Sequence, residues 1–93
     1  MRLKQSQIKA ELRKVEGWKL RRKQISKLFV FEDFLQSLRF INRVARLAEA
    51  MNHHPDIDVR YNKVRLTLTT HDESGLTMKD FRLAGKINRI KPR

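Results

Sequence analysis

A chain of 93 residues supports one domain around one modest core. Its formal net charge of +12 favours polyanions or a self-repelling surface, and the absence of cysteine excludes disulfides and thiolate chemistry. No apolar run approaches the roughly 20 residues of a membrane span. Met1–Val15 is basic without the continuous apolar stretch of a signal peptide, so a cytoplasmic protein without a membrane partner is expected.

Ile8, Leu12 and Val15 recur at helical spacing and Gly17 offers a stop, which predicts a helix over about residues 4–15. Trp18–Leu20 reads as a short strand, "RRKQ" as a polar turn, and "ISKLFVF" as a second strand with Ile25, Phe29 and Phe31 on one side. Asp33 reads as an N-cap. Phe34, Leu38, Ile41, Ala45 and Ala48 then form a stripe, widened by Leu35, Val44, Leu47 and Met51, on a helix over about 34–52. Its polar face carries Gln36, Arg39, Arg43 and Arg46. Pro55 disfavours helical geometry at His54 and so accounts for the helix stop.

Residues 57–70 read as a hairpin turning at Asn62-Lys63. That register sets Tyr61 against Val64, Val59 against Leu66 and Ile57 against Leu68, with all six on the core face. It also opposes Arg60 and Arg65 on the other face. Thr77 and Asp80 have the spacing of a capping box, and Leu76 with Phe81 that of a hydrophobic staple, at the start of a helix continued by Ala84, Ile87 and Ile90. The order α-β-β-α-β-β-α predicts an α+β domain over residues 1–93: a four-stranded antiparallel sheet with three helices on one face.

The chemistry rests on the chain's three histidines. His53 and His54 fall at a helix end, and His71 follows Thr67 and Thr69 on the strand parity opposite to the core. A histidine can give or take a proton near neutrality. Glu49, four residues before His53, would orient that ring and favour its protonated form. Three other readings compete: separate surface histidines, a zinc site with Glu49 as fourth ligand, and an Asp80 that is only a helix cap. No HxH or HxxxH spacing supports the metal. Basic residues are unevenly spread, with ten Lys/Arg among residues 1–27 against Glu11 and Glu16. Charge alone gives weak, non-specific nucleic-acid binding at most.

Glu49, three residues, His53-His54-Pro55, five residues, Tyr61, nine residues, His71, eight residues, Asp80: this pattern resembles that of the pterin-4a-carbinolamine dehydratases. "GW" at 17–18, "FVFEDF" at 29–34, "RVARLAEAMNHHP" at 43–55, "YNKVRLTLTTHD" at 61–72 and "GLTMKDFRLAGKI" at 75–87 extend the likeness over about residues 8–90. The resemblance implies dehydration of 4a-hydroxytetrahydropterin to quinonoid dihydropterin, which recycles the cofactor of aromatic amino acid hydroxylases. It implies no metal and no redox cofactor, and a homodimer or homotetramer. His53, His54 and His71 would line the pterin pocket. His53 and His71 would exchange protons while His54 positions the ring. Asn52, Thr69, Thr70 and Asp72 would bind the pterin's polar edge, with Glu49, Pro55 and Asp80 in support. Trp18 would either stack on the pterin or sit in the core. Many relatives carry an aromatic just after His-His-Pro where this chain has Asp56-Ile57-Asp58, so substrate preference is expected to differ. A non-catalytic basic binding module, or a coactivator-like partner protein on the same fold, is the alternative.

Overall fold

A computed structural model describes residues 1–91. The elements run α1 (Gln5–Leu12), β1 (Lys19–Arg21), β2 (Gln24–Val30), α2 (Phe34–Met51), β3 (Asp56–Arg60), β4 (Lys63–Leu68), a 3₁₀ turn (His71–Glu73) and α3 (Met78–Asn88). The four strands form one antiparallel sheet in the order β1-β2-β4-β3, so the expected α+β architecture is the one observed.

The core is assembled from one sheet face and the helices above it. Ile25, Val64, Leu66 and Leu68 contribute from the strands, Phe40, Val44 and Ala48 from α2, and Phe81, Leu83, Ala84 and Ile87 from α3. Leu76 and Phe81, the staple pair, are both buried. Trp18 is buried as well, its indole N–H donating to Asn88 Oδ1 at 3.0 Å, so it is a core residue and not a stacking platform. Lys27 lies on the same sheet face and extends its ammonium to Glu16 O and Asn88 Oδ1, both at 2.9 Å. Burial pulls its pKa below the usual lysine value, against the opposing attraction of Glu16.

Three expectations are corrected by tertiary packing. The buried stripe of α2 is Ser37, Phe40, Val44 and Ala48, rotated away from the stripe read by spacing, and Phe34, Leu35, Leu38 and Ala45 are exposed. Phe40 sets this rotation by packing against Phe29 and Phe31, with ring centroids 4.6 and 4.9 Å apart. Ser37 tolerates full burial because its hydroxyl donates to Asp33 O.

The second correction is the hairpin register. Val59 pairs with Val64 and Ile57 with Leu66, so the turn is Tyr61-Asn62, not Asn62-Lys63. Asn62 is fixed from outside the hairpin: its carbonyl accepts from Phe31 N at 2.8 Å and its amide donates to Phe31 O at 2.9 Å. Tyr61 takes a left-handed conformation and is 64% exposed, off the core face. The shift also parts the two arginines: Arg65 now faces Asp58, while Arg60 faces another cation, Lys63, and its Nε lies 3.6 Å from Asp58 Oδ2.

The third correction concerns the end of α2. Asn52 adopts φ 49°, ψ 44°, and the helix closes with His53 N donating to Ala48 O at 3.0 Å and Asn52 N to Glu49 O at 3.2 Å. This is a Schellman arrangement with asparagine in the left-handed position usually given to glycine. The stop is therefore made at Asn52, and Pro55 acts downstream by holding His54 extended on the way into β3.

Candidate active site

The left-handed turn at Asn52 decides where both adjacent histidines go. It takes His53 out of helical register and points it into the molecule, where it is 9% exposed. His53 Nε2 lies 2.6 Å from Asp80 Oδ1, across 27 residues of sequence. The next residue is extended and turns back along the helix, bringing His54 Nε2 to 2.5 Å from Glu49 Oε2 at the surface. The expected pairing of Glu49 with His53 is thus replaced by Glu49 with His54. The helix ends too early for His53 to keep the four-residue spacing.

Asp80 is wholly buried and has two jobs. Its Oδ2 accepts from Thr77 N at 2.9 Å, completing the capping box of α3, and from Thr70 Oγ1 at 2.8 Å. Thr70 has one hydroxyl proton, and Asp80 takes it. The 2.8 Å contact between the two threonine hydroxyls therefore has Thr77 as donor and Thr70 as acceptor. Thr77 Oγ1 in turn accepts from Lys79 N at 3.3 Å. Every buried polar side chain among the described residues is satisfied in this way.

The network holds Asp80 Oδ1 against His53 in one orientation. A carboxylate acceptor at Nε2 keeps the proton of the neutral ring on that nitrogen, leaving Nδ1 as the free lone pair. Asp80 is more than a cap, because it also orients His53 and fixes its tautomer. His53 is correspondingly part of the buried structure, and its removal would unpair a buried carboxylate oxygen.

A cavity of about 280 Å³ opens beside these groups, lined by Asn52, His53, His54, Thr69, Thr70, His71, Asp72 and Lys79. All three histidines thus reach one space. His71 begins the 3₁₀ turn after β4, where its carbonyl accepts from Ser74 N at 3.0 Å; it is exposed, and its ring makes no hydrogen bond among the described residues. Thr69 lines the cavity while donating to Lys23 O at 2.7 Å, which ties the β1–β2 turn to the cavity wall. Asn52 contributes to the wall while serving as the helix cap. Asp80 and Glu49 each hold one lining histidine, His53 and His54 respectively.

The family profile described as Pterin 4 alpha carbinolamine dehydratase matches residues 1–90. The chain belongs to the pterin-4a-carbinolamine dehydratase family. Relatives whose names assign them provisionally to this dehydratase include one from Sulfolobus acidocaldarius, 44% identical over 98% of this chain and 100% of its own. Another, from Chloroflexus aurantiacus, is 48% identical over 96% of both chains. The crystal structure of a transcriptional coactivator/pterin dehydratase from Brucella melitensis superposes with a TM-score of 0.91 at 37% identity, covering 95% of this chain and 96% of that one. A pterin dehydratase-like protein identified as a RuBisCO assembly factor in the alpha-carboxysome shares the fold, with a TM-score of 0.67 at 20% identity over 81% of this chain and 89% of that one.

In this family member Lys79, unmarked by the histidine spacing, brings a cation to the cavity from the first turn of α3. The trace of it in the sequence is its place in the first turn after the Thr77 cap, but its approach to His53 depends on the Asp80–His53 contact, which spans 27 residues.

Proposed function

We propose that the protein dehydrates a 4a-hydroxytetrahydropterin to the quinonoid dihydropterin. The observation that carries this reading is the convergence of His53, His54 and His71 on one cavity, with His53 backed by the buried Asp80. In the reaction a proton is delivered to the C4a hydroxyl, which leaves as water. The C4a=N5 double bond forms as the N5 proton is withdrawn. Groups that exchange protons near neutrality serve both steps. His53, with Nδ1 free, and His71, unencumbered at the rim, are the proton-transfer pair. His54, braced by Glu49, positions the ring, and Thr69, Thr70, Asn52 and Asp72 offer hydrogen bonds to its polar edge. None of these steps calls for a metal or a redox cofactor. The Asp56-Ile57-Asp58 segment, where many relatives carry an aromatic, begins β3 beside the site and bears on substrate preference.

The test is an assay in which 4a-hydroxytetrahydropterin is generated in situ by an aromatic amino acid hydroxylase. Its loss is followed with the spontaneous rate subtracted. Acceleration proportional to enzyme concentration is the expected result. A rate equal to the spontaneous one would leave the fold to a non-catalytic binding role, as in a coactivator-like protein.

A further inference from the structure

The β1–β2 hairpin carries the strongest local charge next to the site. Lys19, Arg21, Arg22 and Lys23 fall within five residues, and no acidic residue lies between Glu16 and Glu32. All four are exposed, and among the described residues no ion pair involves any of them. Arg22 occupies the turn at φ 58°, a left-handed conformation in which glycine or asparagine sits with less strain. An arginine held there is the kind of local departure that accompanies function.

Topology brings this turn to the site. Gln24 begins β2 and Leu68 ends β4, and the two strands pair antiparallel with Ile25 opposite Leu68. The hairpin tip and Thr69–His71 therefore share one end of the sheet. β3 enters at that same end directly after Pro55, with Asp56 opposite Thr67. At a spacing of about 4.8 Å per strand, the tip lies roughly 10 Å across the sheet from the His53–His54 side. The bond from Thr69 Oγ1 to Lys23 O locks it against the cavity wall. Arg21, Arg22, Lys23 and Gln24 line a second depression there. Glu49, Asp56, Asp72, Glu73 and the buried Asp80 are the acidic groups at this end, and they lie on α2, β3, the 3₁₀ turn and α3 rather than on the hairpin.

We propose that the substrate carries an oxyanion, phosphate or carboxylate, on the side chain of its pterin, and that Arg21, Arg22 and Lys23 hold it while the ring lies among the histidines. This inference rests on the pterin reading of the cavity and adds the substrate's charge. Guanidinium groups suit a planar or tetrahedral oxyanion because they donate in pairs. The three side chains act here as specificity determinants, remote from the bonds that change.

Titration calorimetry with three stable oxidised analogues separates the possibilities: 6-methylpterin, 6-carboxypterin and the phosphate ester of 6-hydroxymethylpterin. At low ionic strength one of the anionic analogues should bind about tenfold or more tightly than the neutral one, with the preference shrinking as salt rises. Which of the two leads identifies the oxyanion. Arg21→Gln/Arg22→Asn/Lys23→Gln should collapse the anionic-to-neutral ratio toward one, its folding verified by Tm, with Arg22→Gly as a second, turn-compatible variant showing a partial loss. Arg60→Gln/Lys63→Gln, which removes charge from the opposite end of the sheet, should leave the ratio standing. Equal affinity for all three analogues, a preference that survives the hairpin triple variant, or one abolished equally by the Arg60/Lys63 variant would overturn the inference while leaving the pterin site intact. Failure to bind any of the three would overturn both.

Discussion

Asp80 is the residue on which helix start and candidate chemistry meet. A carboxylate here accepts from His53, Thr70 and Thr77 at once. Asp80→Ala would leave three donors facing a cavity, and at about 1–3 kcal/mol for each unsatisfied buried group the loss is a large share of a small domain's stability. Asp80→Asn is the sharper probe. Its carbonyl can still accept from Thr70 and Thr77, but its amide must donate to His53 Nε2, which drives the ring proton to Nδ1. We expect a folded protein whose His53 shows the inverted tautomer in ¹⁵N NMR and whose turnover falls by about 10²–10⁴. An unchanged tautomer with unchanged turnover would reduce Asp80 to a cap. The sequence signalled only the cap, because a capping box is local whereas the His53 contact spans 27 residues.

At the scale of elements, parity was legible and offset was not. Alternation along "IDVRYNKVRLTL" fixed which residues of β3 and β4 face the core, and Ile57, Val59, Val64 and Leu66 do share that face. The turn position depended on Asn62 meeting Phe31, a contact with no trace in the hairpin's own pattern. The end of α2 has the same lesson. Proline was the visible breaker, yet Asn52 makes the turn that separates the two histidines. Asn52→Ala should cost roughly 1–2 kcal/mol, because a Cβ-bearing residue without asparagine's local hydrogen bonding is forced into the left-handed region. Asn52→Gly should be close to neutral. Denaturant melts of the two variants measure the difference, and equal stabilities would mean that the cap is not held by this conformation.

For the whole molecule, the helical spacing of α2 read too much apolar surface as core. The sheet covers one stripe of that helix, and Phe34, Leu35 and Leu38 are left outside it, as is Ile57 on the edge strand β3. Such a surface, beside a strand with an unpaired edge, favours association of copies. We expect sedimentation at micromolar concentration to show at least a dimer, and Leu35→Glu/Leu38→Glu to shift it toward monomer. A monomeric wild-type chain would contradict this. Among the described residues no helix is long and apolar enough to cross a membrane.

Proton transfer by the converging histidines is tested most cleanly at His71. Its ring is exposed and free of the buried Asp80 network, so His71→Ala should leave stability within about 0.5 kcal/mol of wild type. The decisive measurement is turnover of 4a-hydroxytetrahydropterin by folded His71→Ala, above the spontaneous background. A fall of about 10²–10⁴ in kcat is the result expected of a lost acid or base. Full activity in that variant would contradict the account and make the histidine cluster structural.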